Sequence, residues 1–204
     1  MRIALATAIL GTALVTSPLA GTDQEGRAKE SLERAFSQNG RIRMDLSAGE
    51  YHISGSPDNR IRLEWSVRDA AELPRVKARA DVRDREATIT TDGPSNKGLR
   101  VAIEVPKQAD LYVRLSAGDL RIEGIQGNKD VELHAGDMRI DVGRVEDYRA
   151  VDASVWAGDI KAASFRVNKG GLFRSFDWNG KGPYRLHARL KAGDLHLFSK
   201  AEEQ

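Results

Sequence analysis

The 204-residue chain contains no cysteine. It can form no disulfide, even in an oxidising compartment, and has no thiol for lipid attachment, so its stability rests on burial and backbone hydrogen bonding. It also has only one long apolar run. In "MRIALATAILGTALVTSPLAG", Arg2 precedes an apolar stretch of 13 residues, Ile3 to Val15, and then a small-residue exit from Thr16 to Ala20. That is the layout of a secretory signal peptide, and it is shorter than the roughly 20 residues a bilayer span needs. Cleavage is expected after Ala20, although Pro18 is unusual so close to the cut. A buried N-terminal helix is the weaker reading, because nothing polar marks a second face. The mature chain is therefore expected to be secreted or periplasmic, with no membrane span.

An excess of one charge is also missing. Without Arg2 there are 31 Lys and Arg against 30 Asp and Glu, with the signs alternating along the chain. Nucleic-acid binders cluster their basic residues, so the linear pattern gives no argument for a DNA, RNA or anionic-membrane partner. No GxSxG, P-loop or GxGxxG motif occurs. The four histidines, His52, His134, His187 and His196, lack tight ligand spacing such as H-x-x-x-H and read as surface residues rather than a zinc site.

What is present is a repeat. Five segments align: "LSAGEYHI" (46–53), "LSAGDLRI" (115–122), "LHAGDMRI" (133–140), "VWAGDIKA" (155–162) and "LKAGDLHL" (190–197). The shared rule is apolar, any, Ala, Gly, acid, apolar, base or His, apolar. Average usage would place Ala-Gly-acid in such a chain roughly a tenth of one time. Alternation of period two on both sides of a fixed glycine reads as strand, corner, strand. Leu46, Leu115, Leu133, Val155 and Leu190 should point inward, as should the corner alanines Ala48, Ala117, Ala135, Ala157 and Ala192. Gly49, Gly118, Gly136, Gly158 and Gly193 should sit at positive φ, where glycine avoids a Cβ clash.

Gly118 to Gly136 is 18 residues and Gly136 to Gly158 is 22, the lengths of single coils of a parallel β-helix. Gly158 to Gly193 is 35, either two coils with a degenerate corner or one coil with an insertion. Between the first and second repeats, "RIRLEWSV" (60–67), "RVKARADV" (75–82), "REATITT" (85–91) and "GLRVAIEV" (98–105) read as strands that cover or extend the stack. Asp92-Gly93-Pro94 is a turn signal between the last two. A solenoid needs capped ends, and the segments before residue 45 and after about Phe165 are the candidates. Residues 24–37 are read either as a short helix or as a segment in which Phe36 begins a strand.

The expected fold is all-β: a parallel β-solenoid (β-helix-like) with repeated Ala-Gly-Asp corners and additional capping strands. Residues 1–20 would be the signal peptide, 21–35 a lead segment with freedom to flex, and 36–204 the domain. "GRIRMDLSAGEYHISG", "VPKQADLYVRLSAGDLRIEGIQG" and "DVELHAGDMRIDVG" resemble the bacterial putative-adhesin family, a domain of unknown function described by β-strand repeats. The resemblance spans about residues 36 to 200, with a departure at "GLFRSFDWNGKGPYRLHARL" (171–190). It implies an architecture and maps no catalytic residue or cofactor onto this chain.

Two constellations remain. Glu50, Asp119, Asp137, Asp159 and Asp194 form an acidic column whose neighbours, about 4.8 Å apart, would repel by roughly 0.8 kcal/mol per pair in water. A row of Ca²⁺ ions could offset this. The favoured reading is structural compensation by a second column two residues on, His52, Arg121, Arg139, Lys161 and His196, with corner N–H groups donating to the acids. No metal or other cofactor is expected. The other constellation is aromatic: Phe173, Phe176, Trp178 and Tyr184, with Trp156 at an outward position. These either plug the open end of the stack or contact a glycan or protein, and the cap is favoured for the loop. The expected role is non-catalytic binding or scaffolding at the cell envelope. An envelope sensor or regulatory partner of a membrane protein is the alternative, and a polysaccharide-active β-helix enzyme comes third.

Overall fold

The computed structural model describes residues 19–22, 28–93 and 98–200. Eighteen strands run along it: β1 (Leu19–Thr22), β2 (Ala28–Ala35), β3 (Arg41–Leu46), β4 (Glu50–Ser56), β5 (Arg60–Val67), β6 (Lys77–Arg83), β7 (Glu86–Asp92), β8 (Arg100–Pro106), β9 (Asp110–Ala117), β10 (Leu120–Glu123), β11 (Lys129–Ala135), β12 (Met138–Asp141), β13 (Tyr148–Ala157), β14 (Ile160–Ala162), β15 (Val167–Lys169), β16 (Leu172–Asn179), β17 (Tyr184–Ala192) and β18 (Leu195–Phe198). They form two mixed sheets, one of ten strands ordered β1-β2-β5-β8-β4-β10-β12-β18-β14-β15 and one of eight ordered β16-β13-β17-β11-β9-β3-β7-β6. No helix among the described residues is long and apolar enough to cross a membrane. Most of the signal-peptide segment, residues 1–18, lies outside the described residues.

Each repeat places one strand in each sheet, joined at its Ala-Gly-acid corner. The repeats pair in parallel and in register: Leu46 opposite Leu115, Leu115 opposite Leu133, Leu133 opposite Leu190, and Leu190 opposite Val155. All five are buried, and the same rungs continue in the other sheet through Tyr51, Leu120, Met138, Leu195 and Ile160. The inward positions of both sheets merge into one core. Each fully buried Leu or Ile contributes about 1.5–3 kcal/mol.

Two expectations about the stack are corrected. The units do not follow sequence order: β17–β18 sits between β11–β12 and β13–β14. The 35 residues from Gly158 to Gly193 therefore hold an antiparallel return. β15 pairs with β14, β16 pairs with β13, and the chain re-enters as β17 between strands already laid down. Nor is pairing parallel throughout. The segment between the first two repeats supplies a sixth unit, β7–β8, parallel to β3–β4, with β6 and β5 antiparallel outside it. Each end is thus finished by antiparallel strands outside a terminal unit: β15 and β16, one per sheet, at one end, and β6 in one sheet with β5, β2 and β1 in the other at the opposite end. Over residues 28–35 the chain is strand β2, antiparallel to β5, and not a helix or a loose leader. Phe36 is buried just past its end.

The corners explain the repeat. A Cβ on Gly118 would lie 2.0 Å from the Gly49 carbonyl oxygen; on Gly136, 2.0 Å from that of Gly118; on Gly193, 1.9 Å from that of Gly136; on Gly158, 1.9 Å from that of Gly193. These four glycines have φ between +113° and +137°. Gly49 departs from the expectation and is not at positive φ, because it faces Leu99 rather than another repeat corner. Ladder hydrogen bonds run on through the bend, as in Gly118 N–H to Ala135 O at 2.8 Å and Leu120 N–H to Asp137 O at 2.9 Å. The corner alanines are half-buried or exposed rather than inward, since each is at or beyond the end of its strand and the bend leaves its Cβ at the rim.

One inward position carries a charge. Lys129 is fully buried, donating to the Tyr148 hydroxyl at 2.8 Å and the Gly127 carbonyl at 3.4 Å. Burial pushes its ammonium down to about 8 against the opposing pull of Asp141, Asp110 and Asp147. Burial pushes the Tyr148 phenol up.

Gly136→Ala should cost about 3 kcal/mol or more, combining backbone strain with a collision against backbone. Gly143→Ala, at φ +60° with nothing within 4 Å of the Cβ position, should cost only about 1–2 kcal/mol. Urea denaturation of both variants checks the difference. For Lys129, the unfolded chain binds more protons than the folded one between its lowered value and the ordinary lysine value. Stability should therefore rise by about 2 kcal/mol from about pH 8 to pH 10, and Lys129→Met should flatten that rise.

Candidate binding site

Outward positions of the eight-stranded sheet form a polar surface. Register places Asp177, Asp152, His187, Asp130, Tyr112 and Arg43 in one row across β16, β13, β17, β11, β9 and β3. A groove of about 760 Å³ runs over the first five of these, bounded by Trp178, Asn179, Asn128, Arg41 and Arg185. Tyr112 holds two guanidinium groups over its ring, Arg114 at 3.7 Å and Arg43 at 4.8 Å from the centroid. Arg114 also pairs with Asp130 at 3.1 Å and Glu132 at 2.8 Å. His187 stands between two carboxylates, 3.3 Å from Asp152 and 4.0 Å from Asp130, and its Nε2 accepts from Arg189 at 2.9 Å. Asp152 and Asp177 lie directly opposite each other on an antiparallel pair, an arrangement that destabilises a sheet.

The corner column lines a second, shallower groove of about 500 Å³ on the ten-stranded sheet, with Glu50, Asp119 and Asp137 beside His52, Arg100, Arg121 and Arg139. Its charges do not cancel column against column as expected. Asp194 accepts the Asp159 N–H at 3.1 Å, Asp137 accepts the Asp194 N–H at 3.3 Å, and Glu50 accepts from Arg100 at 2.7 Å. Arg121 and His52 turn the other way, to Glu123, which Lys200 also reaches at 3.0 Å. Burial would push the Glu123 carboxyl up; bonds from Lys200, Arg121 and His52 outweigh it and hold the group below the usual range. Among the described residues no three His, Asp or Glu side chains are placed to hold a metal ion.

The five aromatic candidates separate into three places. Phe176 is buried and Trp178 half-buried; both pack on Phe165, with ring centroids 5.7 and 5.4 Å away, and close the core. Trp156 and Phe173 are exposed and meet edge to face at 5.7 Å. Tyr184 lies elsewhere, edge-on to Tyr148 at 6.4 Å. Sequence reasoning missed the groove row because its members are ordinary polar residues at outward strand positions. It also missed Leu172, exposed next to Phe173 in the chain.

No family model and no curated protein matches the chain. Solved structures do. A putative cell adhesion protein from Clostridium sporogenes aligns over 84% of this chain and 100% of its own, with 13% identity and a TM-score of 0.54. A putative adhesin from Bacteroides fragilis aligns over 83% and 97%, with 9% identity and a TM-score of 0.27. The resemblance drawn from the repeat is thus met at the level of fold.

Phe176→Ala should cost about 3–4 kcal/mol as a core truncation. Trp156→Ala and Phe173→Ala should stay within about 0.5 kcal/mol of the parent, as exposed sites do. Denaturant midpoints of the three variants check this division.

Proposed function

We propose that the chain is a non-catalytic, extracytoplasmic binding protein of the adhesin type, a short β-solenoid stacked out of sequence order that binds its ligand on the outer face of the eight-stranded sheet. The observation that carries this reading is the groove over Asp177, Asp152, His187, Asp130 and Tyr112. Folding gains nothing from placing Asp152 against Asp177, so that pair is better accounted for by a ligand that uses both carboxylates. The walls offer donors from Asn128, Asn179, Arg41 and Arg185 and acceptors from the aspartates, in near balance of charge. Such a surface suits a neutral polyhydroxylated chain, a glycan, whose hydroxyl groups donate and accept together. The adhesin-like fold of the Clostridium sporogenes protein supports a binding role.

Calorimetric titration with a panel of neutral oligosaccharides tests the reading. Asp177→Asn should weaken binding by about tenfold, the loss of one hydrogen bond to a charged group. It should also raise stability by a few tenths of a kcal/mol by relieving the like-charge pair. Unchanged binding in this variant, or no heat from any oligosaccharide, would refute the assignment.

A further inference from the structure

Going beyond the groove, we infer that the β14–β16 end of the stack is a docking surface for an anionic phospholipid bilayer. Among the described residues, the large hydrophobic side chains left exposed are Trp156 at 58%, Leu172 at 60% and Phe173 at 71%. All three lie on one strand pair, β13 and β16. Trp156 and Phe173 are in ring contact, and Leu172 lies opposite Ala157 on the same strand pair. The core does not need them, since Phe165, Phe176 and Trp178 already close it beneath. Phe173 holds φ at +54°, a conformation a bulky residue rarely adopts, and does so while its ring stays exposed against Trp156.

The charge around this cluster is one-sided. From Ile160 to Phe176 the chain carries Lys161, Arg166, Lys169 and Arg174 and no Asp or Glu, although the whole protein is almost balanced. Arg174 donates to the Gly170 carbonyl at 2.6 Å and Lys169 to the Ser175 carbonyl at 2.7 Å, which fastens two of these cations beside the apolar tip. Lys191 is the neighbour of Trp156 on β17. The carboxylates nearby are Asp159, which lies against Gly170, and Asp194, which accepts the Asp159 N–H at 3.1 Å. Exposed Trp, Phe and Leu inside a basic rim match the two components of a bilayer surface: the acyl boundary takes the rings, and anionic headgroups take the cations. A polysaccharide could stack on the two rings, but it would give the aliphatic Leu172 little to bury against and leave the basic rim without anionic partners.

The test mixes the full chain with vesicles whose acyl chains are brominated, either wholly zwitterionic or containing phosphatidylglycerol, and follows tryptophan emission. The expected result is quenching that requires phosphatidylglycerol and is largely lost in Trp156→Phe, since Trp65 is buried and Trp178 half-buried. Reading the loss at Trp156 keeps the apolar N-terminal segment from mimicking the effect. Lys191→Gln should weaken the interaction about fivefold, the factor for one basic side chain at such a surface. Asp177→Asn should leave quenching unchanged, which separates this surface from the groove. Equal quenching by both vesicle types, quenching that survives Trp156→Phe, or a Trp156-dependent dimer with no quenching would each overturn the inference, the last in favour of a second copy of the chain.

Discussion

The structure depends on a backbone carbonyl occupying the space where a side chain would begin. At Gly118, Gly136, Gly193 and Gly158 the Cβ position lies about 2 Å from the preceding corner's oxygen, closer than any carbon and oxygen can approach without a bond. Corner backbones can therefore stack at strand spacing, and the ladder hydrogen bonds pass from one sheet to the other without a break. Because both sheets stay in register through the bend, the Leu and Ile rungs on either side face a common interior. A side chain at any one corner would separate two units and misalign strands in both sheets.

This constraint also explains which parts of the fold the sequence makes legible. A close steric requirement at four of the five corners leaves a repeated glycine, and the inward Leu and Val residues flank it at fixed offsets. The order of the units leaves no such mark. All five obey one rule, so each corner could serve as neighbour to any other. What decides is the antiparallel return through β15 and β16, which carries the fifth repeat back between the third and fourth. Lys129 shows the reverse case. Counting back by two from Leu133 and Val131 puts it inside, where the structure finds it, yet its charge masks the strand start.

The polar groove was not legible for a related reason. Tyr112, Asp130, Asp152 and His187 occupy outward positions where any polar residue is acceptable, and each lies on a different strand. Their adjacency follows from the stacking order. Asp152 meets Asp177 only because β16 runs back along β13. The acidic and basic columns were legible as columns, and so were the corner N–H donors to the acids, but not the partners of the basic column. The bend turns corner carboxylates toward neighbouring N–H groups, while Glu123, outside the repeat, draws in Arg121, His52 and Lys200.

The two ends of the stack show how one edge solution serves two surroundings. Each must cover a terminal unit and blunt a row of unpaired backbone groups, and each does so with antiparallel strands, β15 and β16 at one end and β6 with β5, β2 and β1 at the other. At the β5–β6 end, the exposed positions of β6 are Lys77, Arg79, Asp81 and Arg83, alternating toward water as an edge facing solvent should. At the other end, β16 begins with Leu172 and Phe173 exposed, and the segment leading into it carries Lys161, Arg166 and Lys169, with Asp159 against Gly170. An edge meant only to repel other strands would keep its rings inside, as Phe176 does four residues after Leu172. The two edge strands therefore differ in what they leave at the surface, alternating charge along β6 and unburied apolar side chains at the start of β16.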